Sequence, residues 1–167
     1  MSMIIKYVNY SNGVHNIELS DTPEELNLDA SITGDVLLKC KMDKSFHQIF
    51  LECEVHFTAS LTCDRCNKEY STGLVNTFSS TYIFENVETA DDESSVQYIS
   101  HDVDKIDLTE EVSEYTKLAI PMKKICSEEC KGLCPVCGNN RNEIECDCKI
   151  EITNSVWDPL KKLKDNN

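Results

Sequence analysis

Between residues 32 and 61, apolar and polar side chains alternate regularly enough to predict two paired strands. Apolar positions fall on even numbers at Ile32, Val36, Leu38, Cys40 and Met42. After a short polar stretch they fall on odd numbers at Ile49, Leu51, Cys53, Val55, Phe57, Ala59 and Leu61. Successive strand residues point to opposite faces, so a period of two buries one face and leaves the other wet. The intervening "DKS" marks a hairpin turn. A third strand is predicted over "EYSTGLVNTFSSTYIF", where Tyr70, Leu74, Phe78, Tyr82 and Phe84 share one parity, and "VQYIS" reads as a further short strand. Nearer the start, Met3–Val8 and Val14–Leu19 read as strands and "TPEELNL" as a short turn of helix.

The period changes in "DLTEEVSEYTKLAI". Asp107 and Glu110 form a cap pair, Leu108, Val112, Tyr115 and Leu118–Ala119 make one apolar stripe, and Pro121 ends the segment. That pattern predicts a helix over about residues 108–120. Upstream, "ENVETADDESS" (about residues 85–95) carries five carboxylates and no basic residue, which predicts a solvated loop. Near the end, "WDPLKKLKDNN" places Asp158 as N-cap and Pro159 at the first helical position of a short terminal helix, with Trp157 covering apolar surface. The expected fold class is α+β. An antiparallel β-rich body over residues 1–120, with its acidic loop and a helix, precedes a cysteine-rich segment over residues 121–167 that is stapled through its cysteines and docked on the body.

Composition adds charge and compartment. The 167-residue chain carries a formal net charge of −14, and residues 1–120 hold 22 acidic and 8 basic side chains, which accounts for all of it. An acidic body repels phosphate and attracts basic surfaces, so general nucleic-acid binding is disfavoured. The first residues lack a basic stretch followed by an apolar run, and no segment approaches the roughly 18 apolar residues of a membrane helix. A cytoplasmic location is expected. Ten cysteines in a reducing compartment point to metal or redox chemistry before a disulfide framework.

Alternation places Cys40 and Cys53 on the buried strand faces, where free thiols act as small hydrophobes. The other eight fall into four close pairs: Cys63/Cys66, Cys126/Cys130, Cys134/Cys137 and Cys146/Cys148. Tetrahedral zinc takes four ligands, and a close pair supplies two from one turn, so four pairs fit two structural Zn2+ sites. "CPVCG" provides Gly138 where such a turn needs φ > 0, and "CDRCN" offers Asn67, which tolerates that region better than most residues. Short loops are cheaper to close. This favours one site from Cys134, Cys137, Cys146 and Cys148, and a second from Cys63, Cys66, Cys126 and Cys130. The competing assignment joins the two C-x-x-C turns. Four thiolates fill the coordination shell, and His15, His47, His56 and His101 show no pairing, so no catalytic metal is expected. Thiol redox work is the alternative, but it usually accompanies a βαβ pattern that is absent here.

Taken together, "ECKGLCPVCGNNRNEIECDC", the upstream "LTCDRC" and the terminal "DPLKKL" resemble the YceD-like family of large-ribosomal-RNA accumulation proteins. The resemblance implies a non-enzymatic bacterial or organellar factor needed for accumulation of large-subunit ribosomal RNA. Relatives commonly carry Leu where this chain has Arg141, and Arg where it has Leu160. The expected partner is a basic large-subunit ribosomal protein or pre-ribosomal particle, with ribosomal RNA as a further contact. Neither a membrane nor a small-molecule substrate is expected. Lys123, Lys124, Lys131, Arg141 and Lys149 are the candidate contact residues. A zinc-dependent RNA-binding module outside ribosome assembly is a second alternative.

Overall fold

In the computed structural model, residues 3–84, 96–100 and 102–149 are described. The acidic loop, His101 and the terminal segment with Trp157, Asp158, Pro159 and Leu160 lie outside them. Among the described residues, seven strands and one α-helix follow in chain order: β1 (Ile4–Ile5), β2 (Gly13–Asp21), β3 (Ile32–Lys44), β4 (Gln48–Thr62), β5 (Glu69–Phe84), β6 (Val96–Ile99), β7 (Ile106–Asp107) and α1 (Thr109–Leu118). Five of them form one sheet in the order β2-β3-β4-β5-β6, and β1 pairs with β7 in a second, two-stranded sheet. Every pairing in the large sheet is antiparallel except β5 with β6, which is parallel.

Alternation holds along the whole of β4, where Ile49, Leu51, Cys53, Val55, Phe57, Ala59 and Leu61 are all buried. Burying side chains of the size of Leu, Val or Phe stabilises by roughly 1.5–3 kcal/mol each. In β3, Ile32 and Val36 are both buried although the register shifts between Thr33 and Leu37. Gly34 sits in this bulge at φ +74°. Between the Thr33–Thr58 and Leu37–His56 pairs, three residues of β3 run opposite one of β4, an excess of two. An even offset keeps the even positions on the inner face. Met3, Ile5 and Tyr7 from the N-terminus, Leu26 from the loop, and Ile106, Leu108 and Val112 join the same core.

Four details differ from the sequence reading. Of the strand expected over Met3–Val8 only Ile4–Ile5 is strand, and Tyr7–Asn9 forms one turn of 3-10 helix. Cys40 and Cys53 are buried as expected, but they are joined by a disulfide and are not free thiols. They stand directly opposite in the β3–β4 register with Cα atoms 4.1 Å apart. Period-two alternation assigns a residue to a face; it does not say what stands across from it. On α1, Leu118 is 73% exposed while Thr116 is fully buried. Six residues after Val112, Leu118 lies about 240° round the helix, whereas Thr116 is one turn further along the same face. Asp107 accepts hydrogen bonds from the Thr109 N–H (3.0 Å) and hydroxyl (2.6 Å), and Glu110 lies in the first turn, where its charge meets the positive helix end. Lastly, "TPEELNL" forms hydrogen-bonded turns, Leu26 N–H to Thr22 O and Leu28 N–H to Pro23 O, without an assigned helix.

The chain divides into two compact units. One contains Met1–Thr62 and Glu69–Lys124; the other contains Cys63–Lys68 together with the chain from Ile125 onward. The six-residue connection between β4 and β5 therefore belongs to the cysteine-rich unit.

Candidate metal centres

Each C-x-x-C segment folds into the same small turn. In the first, the Asn67 N–H donates to Cys63 O (2.9 Å) and the Cys63 N–H to Lys68 O (2.9 Å); in the second, Gly138 N–H donates to Cys134 O (2.8 Å) and Cys134 N–H to Asn139 O (2.8 Å). The residue after the second cysteine takes positive φ in both, +56° at Asn67 and +75° at Gly138. Such a turn aims both thiols to one side.

The turns do not meet each other. Cys63 and Cys66 gather with Cys126 and Cys130, while Cys134 and Cys137 gather with Cys146 and Cys148, and the sulfurs of each group lie within 4.8 Å of one another. In the first group Cys63 Sγ is 3.9 Å from Cys130 Sγ, and Cys66 Sγ is 3.7 Å from Cys126 Sγ. A tetrahedral ion with metal–sulfur bonds of about 2.3 Å sets its sulfurs about 3.8 Å apart. The donor set and its spacing fit a single divalent ion in each group. No described histidine belongs to either.

The first group is the more enclosed. Cys63, Cys66 and Cys130 are buried, whereas Cys137 and Cys148 in the second are exposed. The protonation pattern follows from local dipoles. Burial pushes the Cys63 thiol up, but the N–H groups of Cys126, Cys66 and Arg65 outweigh it and hold Cys63 near about 6. The N–H groups of Cys137 and Val136 bring Cys134 down to about 6 despite some burial. Lys68 N–H favours the Cys66 thiolate, yet burial and the neighbouring sulfurs of Cys63, Cys130 and Cys126 push it up to about 12. Cys137, burial and the other sulfurs push Cys148 up to about 12. In the first group Cys63 and Cys130 are thus shifted toward the thiolate and Cys66 and Cys126 away from it; in the second, Cys134 is shifted toward it and Cys146 and Cys148 away, and the raised thiols keep their protons unless a cation offsets the charge.

Residues outside the cysteine pairs shape the first group. Gly132, at φ +72°, lies close against the first turn: a Cβ there would meet Arg65 O at 3.0 Å, tighter than ordinary contact. Its neighbour Leu133 donates its N–H to that carbonyl (2.9 Å), and Arg141 N–H donates to Gly132 O (2.9 Å). The Arg65 guanidinium donates to Cys130 O (3.1 Å) and Glu128 O (3.3 Å). Asn142 donates from Nδ2 to Cys130 Sγ (3.4 Å). Sequence reading singled out Gly138 and missed Gly132, although a glycine between two cysteine pairs is the visible signal for it. Replacing Gly132 with Ala should cost about 1–3 kcal/mol through the strained φ, with the backbone contact adding to it. The expected result is a lower midpoint of denaturant unfolding; an unchanged midpoint would show that the approach is not tight.

Of the candidate contact residues, Lys123, Lys131, Arg141 and Lys149 are exposed and Lys124 is half-buried. Glu128, Glu129, Glu143, Glu145 and Asp147 lie among them in the chain, and Lys68 pairs with Glu143 at 2.9 Å. The basic side chains are interleaved with acidic ones.

A sheet of long antiparallel strands, with eight thiols gathered in fours, defines a β-rich protein carrying two four-sulfur centres. A family model described as "Large ribosomal RNA subunit accumulation protein YceD" matches residues 51–164, and the chain belongs to this family. It is 25% identical over 174 residues to the Arabidopsis thaliana protein "Large ribosomal RNA subunit accumulation protein YCED homolog 1, chloroplastic", covering 89% of this chain and 52% of that protein. The chain thus spans about half the length of this relative. No solved structure matches. No described helix is long and apolar enough to cross a membrane.

Proposed function

We propose that each four-cysteine group binds one Zn2+ and that the chain is a cytoplasmic, non-enzymatic factor in accumulation of large-subunit ribosomal RNA. In this reading it acts through a basic large-subunit ribosomal protein or the particle that carries one. Family membership supports the process. The observation that carries the choice of partner is charge: the chain has a formal net charge of −14, concentrated in residues 1–120. Each centre adds to this, because four thiolates around a divalent ion leave a formal charge of about −2. The cations near the centres are mixed with carboxylates, which weakens the case for a phosphate-binding patch. Four thiolates leave no open coordination position, which supports a structural over a hydrolytic role.

The test is affinity capture with the metal-loaded chain, with and without nuclease. A basic ribosomal protein retained after nuclease, and released by salt, is the expected result. A complex that holds RNA but loses every protein on nuclease treatment would overturn this choice. It would transfer the contact to Lys123, Lys124, Lys131, Arg141 and Lys149, whose neutralisation should then weaken binding and flatten its salt dependence.

A further inference from the structure

The loop between Cys137 and Cys146 belongs by sequence to the second centre, yet one of its side chains attends to the first. Asn142 Oδ1 accepts the Lys131 N–H at 2.8 Å, which fixes the amide orientation and leaves Nδ2 as donor. That Nδ2 donates to Cys130 Sγ at 3.4 Å and to Asn140 Oδ1 at 2.8 Å. The Asn142 backbone N–H donates to the same Asn140 oxygen at 3.0 Å. Asn142 therefore holds a ligand sulfur of the first centre and the peptide that follows it.

The loop presenting Asn142 is itself tied to the second centre. Cys134 N–H donates to Asn139 O (2.8 Å), Glu143 and Ile144 N–H groups converge on Asn140 O (3.1 and 3.0 Å), and Arg141 N–H reaches Gly132 O (2.9 Å). Leu133 and Asn140 form an isolated antiparallel bridge. Binding an ion to Cys134, Cys137, Cys146 and Cys148 would close this loop at both ends. The entropy of ordering Asn142 would then be spent before the first centre fills.

We propose that the two centres load cooperatively, with Asn142 as the positioning residue that couples them: an ion in the second centre raises the affinity of the first by presenting the Asn142 amide to Cys130. The inference rests on the reading that both groups bind metal. Outer hydrogen bonds to metal ligands typically change affinity by about 10–100-fold, and coupling between sites commonly spans about 5–150-fold. A factor of about ten is expected here. Linkage requires the same factor in both directions.

The experiment titrates the reduced full chain with Co2+, whose thiolate charge-transfer and d–d bands report the ligand set directly. Four chains are compared with the natural one: Cys146→Ser/Cys148→Ser, Cys63→Ser/Cys66→Ser, Asn142→Asp and Asn142→Leu. Each cysteine variant should load its remaining centre about tenfold more weakly than the same centre loads in the natural chain. Asn142→Asp keeps the acceptor for Lys131 N–H and the side-chain size but removes the donor to Cys130 and to Asn140 Oδ1 and adds a negative charge, so Asn142→Leu, which removes the donor without the charge, is titrated beside it. Both should still bind two ions, with the first centre weakened about tenfold and its charge-transfer band shifted. A role confined to holding the loop would leave that band unmoved. Two ions that load independently in the natural chain, or an Asn142→Asp chain that titrates like it, would overturn the coupling while sparing the metal sites. A chain that binds no Co2+ at either group would overturn the metal reading and the coupling with it. Should a cysteine variant fail to fold, cooperative loading in the natural chain that is lost in Asn142→Asp decides in favour, and equal cooperativity in both overturns the coupling role.

Discussion

Stripping both ions with a strong chelator should unfold the cysteine-rich unit and leave the large sheet standing. Zinc in small four-ligand peptides contributes about 10–16 kcal/mol of apparent binding free energy, which equals or exceeds the whole net stability of a typical domain, about 5–15 kcal/mol. The described part of that unit has little else to hold it: Leu133, Val136 and Ile144 are all exposed. The sheet, by contrast, has an apolar core built from β2 to β6, α1 and the N-terminus, to which none of the eight clustered cysteines contributes. Hydrogen exchange is the direct measurement. Amides of residues 63–68 and 125–149 should lose protection after chelation, while those of β3, β4 and β5 keep theirs. Unchanged protection in both regions after loss of both ions would show that the ions hold nothing together.

The same experiment has a pH arm. Cys66 and Cys148 stand at about 12 and must give up protons to bind an ion, whereas Cys63 and Cys134, at about 6, are already ionised at neutral pH. Metal uptake near pH 7 therefore releases protons and strengthens as pH rises. Because the cysteine-rich unit is held by its ions, its stability follows metal binding with pH, and as pH falls through about 6 even Cys63 and Cys134 take up protons in competition with the ion. Ions should leave in the same acid range. Titration calorimetry in buffers of different ionisation enthalpy reads the proton release.

Cysteine-pair substitutions should give metal counts that reveal which pairs share an ion. Cys63→Ser/Cys66→Ser should drop the count from two to one, as should Cys126→Ser/Cys130→Ser, and combining all four changes should remove no further ion. Combining Cys63→Ser/Cys66→Ser with Cys134→Ser/Cys137→Ser should leave none. If the two C-x-x-C turns shared an ion, that last combination would keep one. Elemental analysis of the purified variants distinguishes the outcomes. The predicted loss per centre is the largest of any substitution discussed, because two remaining thiolates cannot complete a tetrahedral shell.

Much of the sheet was legible because its cause is local. The inner face of β4 follows directly from seven apolar residues at odd positions, and the bulge at Gly34 does not disturb the reading of β3 because its offset is even. The helix was placed within one or two residues, but its stripe was misread at Leu118 because an exposed leucine and a buried one look alike in a sequence. Thr116 shows the converse: a polar residue occupies the core-facing position that periodicity reserves for an apolar one. The parallel pairing of β6 with β5 was not legible, since alternation carries no strand direction.

Near the centres, the sequence determined which residue types carry the chemistry. Spacing marked four two-sulfur pairs and, at the two C-x-x-C pairs, the turns whose positive-φ positions at Asn67 and Gly138 follow from residues that tolerate that backbone. Local geometry needs only neighbours in the chain. Register and second contacts needed the tertiary structure: that Cys40 faces Cys53, and that Asn142 reaches Cys130 from the other centre's loop; the grouping of Cys63 and Cys66 with Cys126 and Cys130 was favoured by loop length, and the structure chose it over the competing one. Those meetings are set by how the whole chain packs, and residues distant in sequence carry no local mark of where they will touch.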